Sequence, residues 1–584
     1  MSAETRPGRR PPPATPRPRP RRRRRVAWAR LSPLIVAAVS AFVAGVAVGA
    51  SGDDPRRTAA QDFVDAWERG DYAAMYALLT PDDRRKIPLE RFADVYRNAA
   101  RVETLARVDA GRASEPRDGT VTVPVALDTR IWGTLRGQLA MPVTEDDGEQ
   151  GGGIDWSRNL VHPGLRRGEK LSRNTRMPPR AAIQARDGTP LAEGEARLSD
   201  LGALAAEIAG RVGPAPPDRA AELERRGVPS GAAVGLTGLE REFDDALAGT
   251  PGGELLAGKR VIAAVEPRRG SAVRTTIDPD VQRAAVEALA GRFGGIAVIR
   301  PRDGEVLGLA GIAYSAPQPP GSVFKIITLA GALQAGVAKN SSKYPVQTAA
   351  VLEGVELQNA HGESCGGTLA NAFAHSCNSV FAPMGAELGA RKLVAAAEDF
   401  GFNADPGLAG AARSTIPAAG EIGDDLAVGS TAIGQGQVLA TPLLFATAAG
   451  AIGEHGMRVQ PTLRKGEQPR RTRATSERVA RTIARYMRRV VTSGTGVGAA
   501  IDGVRVAGKT GTAELRDTVN EDPDPTDPNA PPPDDSTDTN AWFAAYAPMK
   551  RPRVAVAVML VGQGAGGETA APAAKQVIEA ALDR

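Results

Sequence analysis

Cysteine and histidine are scarce in this chain, and their scarcity excludes several kinds of protein. The 584 residues include only two Cys and four His. These numbers are too small for a disulfide-dense scaffold or for a multi-zinc architecture. The chain is not short of apolar residues, because 42% of it is hydrophobic, and this excludes a mostly disordered protein. The length leaves room for roughly four domains.

Lysine is also scarce, and the positive charge of the chain is unevenly placed. Only 11 of the 73 basic residues are Lys, so Arg is the default cation. Residues 1–25 hold ten Arg and one acidic residue, Glu4, which leaves a net charge of −3 on residues 26–584 out of the overall +6. The high isoelectric point therefore describes a tail, and we expect no nucleic-acid partner.

The N-terminal region predicts a membrane anchor. Residues 1–30 form an Arg/Pro-rich tail that is too polar to fold alone, and Leu31–Ala50 (residues 31–50) contains no charged residue. A helix of this length reaches about 30 Å, enough to cross a bilayer. Basic residues before the stretch and Asp53 after it predict a cytoplasmic N-terminus and an extracytoplasmic body, the plasma membrane being the partner. A signal peptide cleaved after Val48-Gly49-Ala50 is the alternative.

Residues 55–154 predict a mixed α+β domain. Phe63, Val64 and Trp67 recur at helical spacing, and the alternating valines around Pro124 predict a half-buried strand. Proline lacks an amide hydrogen, so Pro124 favours an edge strand. The order of helices followed by a sheet resembles the nuclear-transport-factor-like fold.

The rest of the body divides into two parts. Residues 155–270 are irregular and rich in Pro and Arg, which is typical of a spacer. Residues 271–584 have strands at both ends and helices between them, which predicts an α+β domain whose termini meet in one sheet. The predicted elements of this last part are a hairpin turning at Asp303-Gly304, helices Ser322–Ala335 and Arg391–Phe400, strands Val504–Ala507, Ala541–Tyr546 and Val554–Val561, and a helix Ala571–Leu582.

Two of the three motifs that carry chemistry place a serine near another polar group. Ser322-Val-Phe-Lys325 follows Pro-Pro-Gly and begins an apolar helix, on which Ser322 and Lys325 share a face. This geometry suits a hydroxyl nucleophile beside an amine whose pKa burial would lower. Ser376-Cys377-Asn378 offers, on one turn, a proton relay and an amide that would orient a substrate.

The third motif is Lys509-Thr510-Gly511-Thr512, placed after the predicted strand Val504–Ala507. Lysine supplies positive charge, threonine a hydroxyl for a carboxylate, and glycine a strand edge that a substrate can approach. Gly503 to Thr510 also matches the phosphate-loop pattern, but no strand precedes Gly503, so we interpret the match as accidental. The glycine-rich stretch from Gly494 to Gly498 is interpreted as a turn.

Taken in order, Ser-x-x-Lys, Ser-x-Asn and Lys-Thr-Gly resemble the motifs of the penicillin-binding proteins and serine β-lactamases. Gly434-Gln435-Gly436, Gly238-Leu239-Glu240 and Ala541-Trp542-Phe543 resemble class B penicillin-binding proteins in particular. The resemblance implies four parts beyond the tail: a single transmembrane helix, a nuclear-transport-factor-like domain, a pedestal or dimerisation domain over residues 155–270, and a transpeptidase domain over residues 271–584 built on an antiparallel sheet with helices.

The resemblance also implies a function. The chain would be a peptidoglycan D,D-transpeptidase that acts at the outer face of the plasma membrane and that β-lactams inhibit covalently. Ser322 would attack the D-Ala carbonyl of a stem peptide, with Lys325 as base. Ser376 would carry protons, Asn378 would hold the substrate amide, and Lys509 would keep the cluster electropositive. Thr510, Gly511 and Thr512 would bind the substrate, the hydroxyls taking its carboxylate and the backbone N–H of Thr512 joining that of Ser322 in an oxyanion hole. The resemblance implies no metal or other cofactor, and it allows a membrane-embedded glycosyltransferase as partner.

Several alternatives remain open. A serine β-lactamase shares the three motifs, but we find no Glu-x-x-Leu-Asn between Asn378 and Lys509. A β-lactam receptor or a low-affinity resistance enzyme would keep all of the motifs, and so would enzymes of division, elongation or sporulation. Cys365 and Cys377 are either bridged or free, since sequence does not set their Cα distance. The acidic run Asp517–Asp538 is interpreted as a solvated insertion, and His375 as a packed side chain.

Overall fold

The computed structural model describes residues 54–145, 153–514 and 539–583. Within these ranges no helix is both long and apolar enough to cross a membrane. The predicted anchor Leu31–Ala50 and the acidic run Asp517–Asp538 lie outside them.

The N-terminal part combines four helices with a four-stranded sheet. Capping side chains fix the starts of three helices: Asp54 accepts from the Arg56 amide, Asp71 from Ala74 and Thr80 from Asp83. The helices are α1 (Pro55–Glu68), α2 (Tyr72–Ala77), α3 (Pro81–Lys86) and α4 (Leu89–Glu103). The strands, in sheet order, are β1 (Leu105–Ala110), β2 (Thr120–Thr129), β3 (Gly133–Thr144) and β4 (Gly153–Ile154).

Pro124 corrects one expectation, because β2 is an inner strand, between β1 and β3. Regular pairing with β1 ends at Ala110 and Val125, and the Pro124 carbonyl accepts from the Gly111 amide just beyond that point, at 2.7 Å. The amide nitrogen and carbonyl of one strand residue point to the same side. The missing hydrogen of Pro124 therefore faces the side where the ladder has ended, and the pairing with β3 is complete.

The middle part is not a bare spacer, since it contains three small sheets. The strands are β5 (Leu171–Arg176), β6 (Ile183–Gln184), β7 (Pro190–Ala192), β8 (Val212–Gly213), β9 (Val234–Gly235), β10 (Gly252–Ala257), β11 (Arg260–Val265) and β12 (Val273–Arg274). The strand orders of the three sheets are β11-β10-β5, β12-β6-β7 and β8-β9. The helices are α5 (Ala203–Ala209), α6 (Pro217–Arg225), α7 (Gly238–Glu242) and α8 (Asp244–Ala248).

A buried network of ion pairs holds these segments together. Glu240 accepts from Arg180 through one carboxylate oxygen and from Arg197 through the other, each at 2.6 Å. Asp244 pairs in the same way with Arg180 at 2.7 Å and with Arg219 at 2.6 Å. The two carboxylates are almost fully buried. Each is therefore compensated by two guanidinium groups, as a buried charge requires.

The C-terminal part has three layers around one antiparallel sheet of five strands. The sheet strands are β13 (Gly294–Ile299), β14 (Val306–Gly311), β21 (Ala507–Glu514), β22 (Thr539–Ala547) and β23 (Val554–Leu560), in the order β14-β13-β23-β22-β21. Two helices cover one face, α9 (Pro279–Leu289) and α17 (Ala570–Leu582), and α15 (Pro442–Gly453) packs on the other. The early hairpin and the late strands share this sheet, which confirms that the two ends of the domain meet.

The remaining helices and strands lie between β14 and β21. The helices are α10 (Lys325–Ala335), α11 (Leu369–Ala374), α12 (Asn378–Leu388), α13 (Ala390–Asp399), α14 (Asp425–Ala432) and α16 (Glu477–Ser493). The short strands are β15 (Lys343–Gln347), β16 (Ala349–Leu352), β17 (Val355–Gln358), β18 (Cys365–Thr368), β19 (Met457–Val459) and β20 (Arg471–Arg473). Helix α10, which follows Ser322, packs on α12, α13 and α16 and is the central buried helix of this part.

Two predicted elements differ from the structure. The strand expected at Val504–Ala507 begins at Ala507 and runs through the third motif to Glu514. Lys and Gly have little strand propensity, and here pairing with β22 overrides it. The helix expected from Ser322 opens as a 3₁₀ turn, Gly321–Phe324, and becomes α-helical at Lys325.

Candidate active site

Ser322 lies in a tight turn that its neighbours hold from both sides. The Trp542 indole donates to the Pro319 carbonyl at 2.9 Å, and the Gly321 amide donates to the Gly434 carbonyl at 2.9 Å. Gly321 has φ +52°, and a Cβ there would lie 2.3 Å from the Thr512 carbonyl oxygen. Only glycine fits at that point. The turn therefore presses Ser322 against strand β21.

Lys325 is completely buried, and its amine contacts the other predicted residues of the site. Nζ lies 2.9 Å from Ser322 Oγ, 2.6 Å from the Ser376 carbonyl and 2.6 Å from Asn378 Oδ1. The two carbonyl oxygens only accept hydrogen bonds, so a neutral amine gives both of its hydrogens to them. Its lone pair is then left for the hydroxyl of Ser322.

The second motif has a strained serine followed by the start of α12. Ser376 has φ +60°, in the left-handed region that disfavours residues other than glycine. Cys377 is the N-cap residue and Asn378 is the first residue of the helix, so the motif does not share one turn as expected. The Asn378 amide nitrogen donates to the Gln358 carbonyl at 2.7 Å, which leaves one N–H for a ligand.

A disulfide bond fixes this loop, since Cys365 and Cys377 are bonded with their Cα atoms 5.5 Å apart. The bond ties the residue after Ser376 to strand β18 and so decides the question that the sequence left open. His375 is exposed, so its expected packing is wrong. It stands where α11 ends, and its ring projects outward while Cys377 turns inward.

The third motif lies on β21, the edge strand of the sheet, where Gly511 allows close approach to the turn of Ser322. A Cβ on Gly511 would lie 2.9 Å from the Pro320 carbonyl oxygen. Lys509 is fully buried and donates to Ser376 Oγ at 2.8 Å and to the Thr510 carbonyl at 2.9 Å. Ser376 Oγ is also 3.3 Å from Lys325 Nζ. The hydroxyl of Ser376 thus lies between the two amines.

Burial changes the protonation of both lysines. Desolvation lowers the pKa of Lys509 to about 7, and desolvation together with the charge of Lys509 lowers the pKa of Lys325 well below its ordinary value. Within the described part of the chain no carboxylate pairs with either amine, and the aromatic rings of Phe381 and Phe373 lie 5.7 and 5.6 Å from them. Both shifts favour the uncharged amine, which is the form of Lys325 that can accept a proton from Ser322.

Two threonine hydroxyls stand beside this cluster. Thr510 is 5% exposed, and its Oγ1 lies 2.5 Å from Thr495 Oγ1. Thr512 Oγ1 accepts from the Gly566 amide at 3.5 Å. Thus Ser322, Lys325, Ser376, Asn378 and Lys509 form one hydrogen-bonded cluster, with Thr510, Gly511 and Thr512 on the strand beside it.

Sequence reasoning missed some of the residues that shape the site. Thr495 was placed in a glycine-rich turn of no assigned role, and Gln358 carried no signal because its backbone carbonyl makes the contact. Gly434 did carry a signal, since Gly434-Gln435-Gly436 resembles the class B enzymes, but that signal indicates no role in the site. A Cβ there would lie 2.0 Å from the Gly321 carbonyl oxygen, at φ +83°.

Comparison with known families agrees with this geometry. Residues 294–579 match the penicillin-binding protein transpeptidase domain, residues 56–169 match an NTF2-like N-terminal transpeptidase domain, and residues 192–273 match a penicillin-binding protein dimerisation domain. Over 415 residues the chain is 34% identical to the peptidoglycan D,D-transpeptidase PbpA of Mycolicibacterium smegmatis, an alignment that spans 59% of this chain and 79% of that protein. The chain belongs to the class B penicillin-binding proteins.

Other relatives of this class B penicillin-binding protein support the same assignment. It is 30% identical over 335 residues to stage V sporulation protein D of Bacillus subtilis, covering 48% of this chain and 51% of that protein. A penicillin G acyl-enzyme complex of penicillin-binding protein A from M. tuberculosis is similar in structure, with 28% identity and a TM-score of 0.55, over 69% of this chain and all of that chain.

Proposed function

We propose that this chain is a peptidoglycan D,D-transpeptidase that works through an acyl-enzyme on Ser322. The observation that carries the proposal is the buried amine of Lys325, 2.9 Å from Ser322 Oγ, with its pKa lowered. A hydroxyl needs such a base to become a nucleophile. The PbpA relatives are named for this activity, and their solved structures include complexes acylated by β-lactams.

The contacts of the site support a defined sequence of steps. Ser322 Oγ attacks the penultimate D-Ala carbonyl and passes its proton to Lys325, while the backbone N–H groups of Ser322 and Thr512 hold the oxyanion. Ser376, which contacts both lysines, returns a proton to the departing D-Ala amine. A second stem-peptide amine then attacks the ester carbonyl and loses a proton to Lys325. The bond between the carbonyl carbon and Ser322 Oγ breaks, and Lys325 returns the proton to Oγ, which frees Ser322.

The substrate would be held by the neighbouring groups. The free N–H of Asn378 donates to a peptide carbonyl of the stem peptide. The hydroxyls of Thr510 and Thr512 donate to the terminal carboxylate, and the positive charge of Lys509 favours the binding of that anion. A β-lactam carries both the reactive carbonyl and the carboxylate, so it would acylate Ser322 in the same place.

We also propose that the chain is anchored in the plasma membrane by Leu31–Ala50, with its catalytic domain outside. Twenty uncharged residues after an Arg-rich tail support the anchor. The Cys365–Cys377 disulfide supports an oxidising compartment. A membrane-embedded glycosyltransferase that makes the glycan strands would then be a fitting partner.

The test is labelling of the purified full-length chain by a fluorescent penicillin. The expected result is a stable adduct that is lost in Ser322→Ala and kept in the control Ser315→Ala, since Ser315 is an exposed serine seven residues earlier. Release of D-Ala from a D-Ala-D-Ala peptide, with transfer to an added amine, would separate a transpeptidase from a β-lactam receptor. Rapid loss of the label with penicilloate release would indicate a β-lactamase instead, and no label together with no D-Ala release would contradict the proposal.

A further inference from the structure

Thr495 lies between α16 and the strand of the third motif and contacts the elements that carry two of the motifs. Its amide donates to the Ala374 carbonyl at 3.1 Å, two residues before Ser376. Its hydroxyl oxygen lies 2.5 Å from Thr510 Oγ1 and 3.5 Å from the same Ala374 carbonyl. Thr495 therefore joins the loop of Ser376 to the strand of Thr510.

The direction of the Thr495–Thr510 hydrogen bond follows from the number of hydrogens available. A hydroxyl donates one hydrogen bond and accepts two. If Thr510 donates its only hydrogen to an anionic ligand, the short contact with Thr495 persists only when Thr495 is the donor. The alternative acceptor, the Ala374 carbonyl, lies at the outer limit of hydrogen-bond distance, so it competes weakly.

Thr512 shows the same arrangement with a different donor. There the Gly566 amide, which only donates, lies 3.5 Å from the hydroxyl oxygen, so this contact is also at the outer limit of hydrogen-bond distance and is the weaker of the two. Each of the two hydroxyls beside the lysines thus has a donor on one side. Such a donor occupies a lone pair and leaves the hydroxyl hydrogen for a ligand.

We propose that Thr495 is a positioning residue that directs the hydroxyl hydrogen of Thr510 toward the carboxylate of the acyl donor. It acts through Thr510 and does not itself touch the substrate. The inference rests on the proposed function, since it assumes an acyl donor that bears a carboxylate. Its consequence is selectivity, because Thr495 favours a donor with a free carboxylate over the same donor with the carboxylate blocked.

The experiment compares acylation of the full-length chain by benzylpenicillin and by its methyl ester. Thr495→Val keeps the shape of the side chain and removes the hydroxyl. The rate constant with benzylpenicillin should fall about tenfold, the effect of one hydrogen bond to a charged group, while the rate constant with the ester changes less than about twofold. The preference for benzylpenicillin is the ratio of its rate constant to that of the ester. Thr495→Ser keeps the hydroxyl, so this ratio should stay close to that of the unaltered chain.

A double-mutant cycle tests whether the effect passes through Thr510. Thr510→Val should lower the preference for benzylpenicillin, and adding Thr495→Val to it should cause no further loss. Equal losses for the two donors, or losses that add in the double variant, would overturn the proposal and leave Thr495 a structural residue. Thermal midpoints check that the variants fold. If Thr495→Val is unfolded, an unchanged preference in Thr510→Val still overturns the proposal.

Failure of the proposed function would look different. In that case the unaltered chain would form no Ser322 adduct with either penicillin, and both proposals would be wrong together. An intact Ser322 adduct with an unchanged preference in Thr495→Val would overturn only the inference on Thr495.

Discussion

Two clusters of cations in the described part of the chain, one partly buried and one completely buried, differ in the groups that compensate their charge. In the middle part, Arg180, Arg197 and Arg219 each meet a carboxylate of Glu240 or Asp244. At the candidate active site, Lys325 and Lys509 meet hydroxyls, carbonyls and aromatic rings, but no carboxylate within the described residues. In the first cluster the carboxylates stabilise the charged arginines. In the second cluster burial without a counter-charge destabilises the protonated lysines and favours the neutral amine.

The residue types match these two environments. Arginine does not lose its proton in proteins, so a buried Arg needs a counter-charge, and each guanidinium here has one. Lysine loses its proton readily when it is desolvated, so a buried Lys without a counter-charge can act as a base. Only 11 of the 73 basic residues of the chain are Lys, yet both buried basic residues of the site are Lys and neither is Arg.

The largest expected effect is the loss of the base at the active site. Lys325→Met keeps the length of the side chain and removes the amine, so acylation by penicillin should slow about 10³-fold. The free energy of unfolding should change little, because the variant removes the cost of burying the amine but also loses its hydrogen bonds to the Ser376 carbonyl and Asn378 Oδ1. Stopped-flow acylation and thermal unfolding measure the two quantities. Lys392→Met, at an exposed lysine of α13, is the matched control, and a rate close to that of the unaltered chain would show that Lys325 is not the base.

The second effect is the opposite one, a large loss of stability without a loss of chemistry. Glu240→Gln leaves Arg197 without a carboxylate and Arg180 with only that of Asp244, and it should cost about 3–5 kcal/mol of unfolding free energy. Acylation per folded molecule should stay within about twofold, because the cluster lies outside the site. Glu266→Gln breaks the exposed pair with Arg176 and should cost less than about 1 kcal/mol. Equal losses in the two variants, by urea unfolding, would contradict the comparison.

A third effect concerns the coupling between the two lysines. The positive charge of Lys509 lowers the pKa of Lys325, so Lys509→Met should raise it. The acid limb of the pH profile for acylation should therefore move to higher pH. The variant should in addition be slower than the unaltered chain at every pH. Rates measured across the pH range with Lys392→Met as control would show it, and an unmoved limb would mean that the lysines are not coupled.

A fourth effect is on the pH dependence of stability. The pKa of Lys509 is about 7 in the folded protein and about 10.4 when unfolded, so between these values the unfolded chain binds a proton that the native state does not. Stability should rise with pH across this window, and it should be lost again as pH falls back toward about 7. Lys509→Met should flatten that slope. Urea unfolding at about pH 7 and about pH 9 measures it, and an unchanged slope would contradict the lowered pKa of Lys509.

Local patterns in the sequence were sufficient for many elements of the fold. The hairpin at Asp303-Gly304, the strands at Ala541–Tyr546 and Val554–Val561 and the helix at Ala571–Leu582 all appear within a few residues of their expected bounds. These segments have clear apolar periodicity, so short-range propensity and burial agree. The strand of the third motif was displaced because Gly, Lys and Thr carry no such periodicity, and only pairing with β22 makes them a strand.

By itself the sequence determined the family and the chemical groups of the site, since Ser322, Lys325, Ser376, Asn378 and Lys509 stand in short motifs whose spacing is local. Only the tertiary structure decided that these groups meet, because 51 residues separate Lys325 from Ser376 and 133 separate Ser376 from Lys509. The structure also decided the Cys365–Cys377 bond, the contact of Thr495 with Thr510 and the lowered pKa of each lysine. Each depends on distance and burial, which arise when remote segments pack together and exclude water.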